Sequence, residues 1–165
     1  MTTKTPASIQ LRKLAVAIQQ IEILHDVNID ILPGELVMLL GGSDAGKSTL
    51  LRAIAGLDPV SSGEIWIDDE DITRRRVNKR RIALMMQSYP MWPRMTVARN
   101  VGFGLRQQGG MPATLIEQKV EEFLTLVGLQ DFARHLPAQL TPGQQQRPVV
   151  ARTLASGMRD NLFDE

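Results

Sequence analysis

The stretch Gly41-Gly42-Ser43-Asp44-Ala45-Gly46-Lys47-Ser48 constrains this chain more than any other. It stands between Glu35-Leu-Val-Met-Leu-Leu40, a short and nearly continuous apolar run, and Lys47 to Ala55, where helix formers carry apolar residues at helical spacing ahead of Gly56. The first run reads as a strand buried on both faces of a parallel sheet. The second reads as a helix stopped by glycine. A glycine-rich turn between such a strand and helix lets successive backbone N–H groups point at one anion, to which the helix adds its positive end. The eight residues satisfy G-x-x-x-x-G-K-[ST], the phosphate-binding loop. Lys47 would reach the β- and γ-phosphates of a nucleotide, and the Ser48 hydroxyl would bind Mg²⁺. Thr49, next in the helix, completes the expected nucleotide-binding set of Gly41 to Thr49. The competing reading is an incidental glycine-rich turn, against which the flanking strand and helix both count. Alone, the loop means only that a nucleoside triphosphate binds, because kinases, GTPases, helicases and transporters all use it.

Totals narrow the classes that remain. A chain of 165 residues holds one domain with a core of its own, with room for an inserted subdomain. With 43% hydrophobic and 22% charged residues, long disorder is excluded. The net charge of +1 argues against nucleic acid or anionic lipid as a partner. Arg74-Arg75-Arg76 and Lys79-Arg80-Arg81 read as solvated faces. Absence of cysteine excludes disulfides and thiolate metal sites and fits a reducing compartment. No stretch approaches the ~20 apolar residues of a transmembrane helix, so a cytoplasmic domain is expected, reaching a membrane only through another subunit.

Ile9 to Val16 and Val27 to Ile31 read as strands separated by an undefined linker, Glu64 to Ile67 as a short strand, and Ile82 to Met86 as a buried one. From Thr96 to Leu140 the signals are helical: Leu115, Ile116, Val120, Phe123, Leu124 and Val127 recur at spacings of three and four. A last helix from about Gln144 to Ala155 returns the chain to a strand at Asn161 to Asp164. The expected architecture is an α/β P-loop NTPase core, residues 1–87 and 145–165, with a mainly parallel sheet and a helical subdomain inserted at 88–144.

The ordered segments around the loop resemble the ATP-binding subunits of ABC transporters, the importer type serving sugar, polyamine or iron uptake. Asp26 to Ile31, Pro33-Gly34-Glu35, Ile54-Ala-Gly-Leu57 and Ser62-Gly63-Glu64 sit as in that family. So do Gln87-Ser88-Tyr89, Met95-Thr-Val97 and Asn100 to Leu105. Leu140-Thr141-Pro142-Gly143-Gln144 stands where the signature L-S-G-G-Q belongs, and Asp164-Glu165 where the Walker B aspartate and catalytic glutamate belong.

The resemblance implies ATP and Mg²⁺ as cofactors and ATP hydrolysis as the reaction. It implies Gln87 as the Q-loop glutamine, contacting Mg²⁺ or the attacking water. Asp164 would be a Mg²⁺ ligand with Ser48, and Glu165 the general base. Thr141, Gly143 and Gln144 would act in trans on the nucleotide of a second ATPase subunit. Membrane permease subunits would be the other partners, placing the chain on the cytoplasmic face of the membrane. Residue by residue, the same positions have plainer readings. Thr141, Pro142 and Gln144 also spell a helix-capping box, Gln87 reads as a solvated polar residue, and Asp164-Glu165 as an acidic end.

Departures from the family pattern define a rival: a nucleotide-binding or interaction remnant that does not turn over ATP. Asp44 replaces a loop glycine, and a carboxylate ~4 Å from phosphate at an effective dielectric of ~20 is worth roughly 4 kcal/mol of repulsion before screening. Aspartate tolerates left-handed backbone better than most residues. Pro142 offers no N–H where the first signature glycine does, and Pro148 inside the following helix is expected to cost about 3 kcal/mol or to kink it. Asp160 and Asn161 put polar groups where the Walker B strand is aliphatic. Ile18 takes the place of the aromatic residue that stacks on adenine, losing a ring–ring contribution of about 0.5–1.5 kcal/mol. The family continues past Asp164-Glu165 into further strands and a switch histidine, so the resemblance reads as truncated there, and neither His25 nor His135 stands at the switch position.

Overall fold

A computed structural model describes residues 7–86, 88 and 91–164. These divide into two compact units, one of residues up to Leu84 together with 162–164, the other running from Met85 to Asn161.

The first unit is built on a four-stranded sheet ordered β2-β1-β3-β4, from β1 (Ile9–Ile18), β2 (Ile21–Ile31), β3 (Ser62–Ile67) and β4 (Glu70–Asp71). All its ladders are antiparallel. The undefined linker of the sequence reading is a two-residue turn, Gln19-Gln20, with φ of 50° and 67°. Two positive φ values give a hairpin turn whose twist matches the strands it joins. Helix α1 (Lys47–Ala55) buries Leu50, Ala53 and Ile54, spaced three and one apart, against Leu11, Leu14, Val16, Leu24, Ile65 and Ile72.

Residues 35–40 depart from expectation. They belong to no strand, and Leu36, Met38 and Leu40 are 90%, 75% and 85% exposed. Val37 is 39% exposed, and only Leu39 of the apolar residues packs against the core. The alternation is that of a strand with one face down. A strand, however, exists through ladder partners and two covered faces, and among the described residues none pairs with this run. The parallel sheet it suggested is therefore not what surrounds it. The α/β class stands, with the four-stranded sheet antiparallel and β5 (Ile82–Met85) paired with β6 (Asp160–Phe163) in a second sheet.

The second unit is helical. Its core gathers Val97 and Val101 of α2 (Val97–Val101), Leu105 of α3 (Phe103–Gln108), Ile116, Val120 and Leu124 of α4 (Ala113–Leu126), and Ala151 and Ala155 of α5 (Pro142–Ala155), with Leu129 and Leu140. Phe123 and Val127 line its margin, whereas Leu115, expected on the same face, is 40% exposed. Ile116, Val120 and Leu124 repeat every four residues, and Leu115 precedes that stripe by about 100° around the helix. Asn100, fully buried, ties the segment before α2: its amide donates to the carbonyls of Met95 and Thr96 at 3.0 and 3.1 Å, and its oxygen accepts from Trp92 N–H at 2.8 Å. Among the described residues no helix is long and apolar enough to cross a membrane.

Candidate functional site

The expected phosphate loop lies wholly in the first unit. Gly42 and Ala45 close a turn through Ala45 N–H to Gly42 O at 3.2 Å, and the helix begins at Lys47 with Gly46 as its N-cap. Gly46 has φ 78° and ψ 13°, in the left-handed region, and a Cβ there would lie 2.7 Å from Leu24 Cδ2 and 3.3 Å from Ile23 Cγ2. Conformation and space both demand glycine. Asp44, exposed at the turn, is not left-handed, so its replacing glycine strains nothing in the backbone. What it adds is a carboxylate beside the loop.

Among the described residues no side chain caps α1, and no acid stands in its first turn. Its leading N–H groups, orphaned by helix geometry, remain available to an outside acceptor. Lys47 folds back so that Nζ donates to the carbonyls of Gly41 at 2.8 Å and Gly42 at 2.5 Å, holding its charge over the loop.

At the next residue, the Ser48 hydroxyl donates to Asp164 Oδ1 at 2.8 Å across 116 residues of sequence. Asp164 is buried, at 9% exposure. Two of the residues assigned to Mg²⁺, far apart in the sequence, thus meet at the helix N-terminus. Among the described residues no three His, Asp or Glu side chains gather as a metal cage. Arg52, one turn further along α1, makes a two-pronged bond to Asp58, Nε to Oδ2 at 2.9 Å and Nη2 to Oδ1 at 2.8 Å. The Asp58 bond, with the Asp164 charge adding to it, holds the guanidinium above its ordinary pKa.

Ile18 ends β1 at 42% exposure, opposite Ile21 at 65%. Ile23, 39% exposed, lies against Gly46. The hairpin therefore puts bare aliphatic surface next to the phosphate loop. Ile21 and Ile23 escaped the sequence reading because the Gln19-Gln20 turn lacks the Asn-Gly type of signal that marks such hairpins.

The signature-like residues lie in the helical unit. Thr141 is the N-cap of α5, Pro142 its first residue, and Gln144 the reciprocal partner. Gln144 Oε1 accepts from Thr141 N–H at 2.9 Å, and Thr141 Oγ1 accepts from Gln144 N–H at 3.4 Å. The capping box is formed. A Cβ on Gly143 would meet nothing within 4 Å. Helix α5 runs unbroken from Pro142 to Ala155 with the buried Pro148 inside it. The expected cost of polar residues in the last strand is visible at Asn161, whose Oδ1 is buried without a partner among the described residues. Gln87 and Glu165, assigned to Mg²⁺ or water and to general base, lie outside the described residues.

Comparison with known proteins accords with this geometry. The family described as ABC transporter matches residues 24–165. The chain is 46% identical over 140 residues to the sulfate/thiosulfate import ATP-binding protein of Gloeobacter violaceus, covering 85% of this chain and 40% of the relative. It is 43% identical over 143 residues to an Fe(3+) ions import ATP-binding protein of Pectobacterium atrosepticum, covering 87% and 40%. To the spermidine/putrescine import ATP-binding protein of Shigella dysenteriae it is 42% identical over 166 aligned positions, covering 98% and 44%. The chain thus spans less than half the length of the curated relatives it matches.

Proposed function

The chain belongs to the ABC transporter family, and from that premise we propose that it is the ATP-binding part of an importer, coupling Mg²⁺-ATP binding and hydrolysis to solute uptake through membrane permease subunits. The observation that carries the reading is the meeting of Ser48 and Asp164 at 2.8 Å beside the uncapped start of α1. A solvated acidic end needs no such partner.

The division of labour follows from the residues. The amides at the start of α1 bind and orient the β- and γ-phosphates, because helix N-termini favour anions. Lys47 exchanges the carbonyls of Gly41 and Gly42 for phosphate oxygens and neutralises their charge. Ser48 and Asp164 would hold Mg²⁺, which would supply positive charge to the phosphates. Ile18, with Ile21 and Ile23, covers the base as an aliphatic platform. Gln87 orients the attacking water and Glu165 accepts its proton, both by family resemblance. ATP supplies the phosphoric anhydride whose cleavage does the work.

Thr141, Gly143 and Gln144 serve a second ATPase subunit in trans, with Gly143 N–H and the Thr141 hydroxyl as donors in place of those that Pro142 lacks. The chain works on the cytoplasmic face of the membrane, against its permease. The names of the three relatives carry three different cargoes, so what transfers is import ATP binding and not a solute.

The test is binding and hydrolysis of Mg²⁺-ATP by the purified chain beside Lys47→Ala. Binding and turnover that both vanish in Lys47→Ala are expected. Binding without turnover would replace the ATPase with a nucleotide-binding remnant, and a folded chain that binds no nucleotide would sink the site.

A further inference from the structure

One buried cation remains unexplained by the nucleotide site. Arg80 is 6% exposed, although Arg74, Arg76, Lys79 and Arg81 around it are exposed. Burying a guanidinium is costly unless its donors are satisfied, and here they converge on carbonyls. Nη1 donates to Ala53 O and Ile54 O at 2.8 Å each, Nη2 to Thr73 O at 2.8 Å, and Nε to Arg75 O at 3.0 Å.

Ala53 and Ile54 lie in the last turn of α1, where carbonyls run short of helical partners and the dipole is negative, although Ala53 O also accepts from Gly56 N–H at 3.0 Å. The guanidinium therefore caps the far end of the helix that starts at the phosphate loop. Gly56, the C-cap at φ 82°, makes the fit possible: a Cβ there would stand 2.5 Å from Arg80 Nε and 2.8 Å from Cζ.

On its other side Arg80 is anchored to a rigid loop. Thr73, whose carbonyl it grips, accepts from Ile65 N–H of β3 at 2.8 Å, and Asp71 Oδ1 accepts from Thr73 N–H at 2.8 Å and from the Thr73 hydroxyl at 2.5 Å. Two residues past Arg80 the chain enters β5.

We propose that Arg80 is a positioning residue of the nucleotide site, fixing the C-terminal end of α1 to the sheet so that Lys47 and Ser48 at its N-terminus stay in register with Asp164. This inference rests on the reading of α1 as the phosphate-binding helix. The helix has nine residues joined by one hydrogen-bond ladder, so freedom at one end becomes displacement at the other, and misplacement of a site by an ångström is felt strongly in binding and rate. Lysine does not replace Arg80, since an ammonium lacks the planar fork that reaches helix and loop together.

Mg²⁺-ATP affinity is measured on the intact chain for wild type, Arg80→Lys, Arg80→Gln and Ile72→Val, at a temperature where circular dichroism shows each folded, with hydrogen exchange at the amides of residues 47–50. Ile72→Val trims the same unit's core in the loop beside Thr73 while keeping every group that Arg80 bonds. Both Arg80 variants should bind about tenfold or more weakly and exchange those amides faster, while Ile72→Val binds as wild type. Folded Arg80 variants with unchanged affinity and exchange would overturn the inference, as would an equal loss in Ile72→Val.

Should the Arg80 variants not fold, Gly56→Ala keeps every Arg80 donor while pressing on the guanidinium. Its affinity must then fall more than that of Ile72→Val, or the proposal fails. A wild-type chain that binds no Mg²⁺-ATP removes the nucleotide site itself, and the role of Arg80 with it. Wild-type binding with unaffected Arg80 variants removes only the latter.

Discussion

Helices α1 and α5 both begin at glycine-containing segments that the family resemblance connects with nucleotide, yet their first turns are built oppositely. At α1 the N-cap is a left-handed glycine, no side chain among the described residues caps the leading amides, and a lysine bends back over the loop. At α5 the N-cap is a threonine in extended backbone, a proline fills the first position, and Thr141 and Gln144 bond each other's main chain. One terminus leaves its leading amides for a ligand; the other engages that of Gln144 from its own sequence and has none to offer at Pro142. The difference teaches that a helix N-terminus becomes an anion site when its amides are left without side-chain acceptors, and that glycine content alone does not decide this.

The contrast predicts opposite responses to the same substitution. Gly46→Ala forces a Cβ into φ 78°, 2.7 Å from Leu24. It should destabilise the chain by about 1–3 kcal/mol and abolish nucleotide binding with it. Gly143→Ala enters open space inside a helix, where alanine is better than glycine by roughly 0.5–1 kcal/mol, so stability should hold or rise. Urea unfolding of the two variants checks the pair, and equal losses would erase the distinction between the termini.

A smaller effect is expected at the cap itself. Thr141→Ala removes the acceptor for Gln144 N–H, a bond already long at 3.4 Å, and should cost about 0.5–1 kcal/mol. If α5 loses nothing in thermal unfolding, its box is decorative and the terminus is more open than its geometry indicates.

What the sequence disclosed of this follows from what each signal measures. Periodicity located α1, α4 and α5 because a helix's apolar stripe is local, and the loop turn was legible because glycine, lysine and serine at fixed spacing have few other uses together. Residues 35–40 misled because apolar continuity reports what could be covered, whereas a strand needs partners supplied from elsewhere. The Gln19-Gln20 hairpin was missed for want of the usual turn residues. The contact of Ser48 with Asp164, 116 residues apart, lies beyond any local pattern, and only the family resemblance put the two in one site. Arg80 stayed hidden because it sits in a basic run whose other exposed members make the whole read as solvated.

The far ends of the same two helices extend the comparison to pH. Helix α5 is closed by Ser156, whose hydroxyl donates to Thr153 O at 2.6 Å, a neutral device. Helix α1 is closed by Arg80, which reaches through Thr73 to Asp71. Hydrogen bonds from the Thr73 hydroxyl and then its N–H, with Arg74 and Arg80 adding charge, hold the Asp71 carboxyl below its ordinary value of 3.8. A carboxylate whose folded pKa is depressed contributes stability that is complete above its unfolded pKa and is lost as pH falls through the folded one. Asp71 is almost fully solvated, so the contribution is small. Asp71→Asn should therefore be slightly less stable than wild type at neutral pH, with the gap closing below about pH 4 as the wild-type carboxylate takes up its proton. Urea midpoints measured from pH 7 down to pH 3 decide it. A gap that stays constant across that range would show that the Asp71 charge plays no part in holding this end of α1, leaving the neutral bonds of Thr73 as the whole of the link.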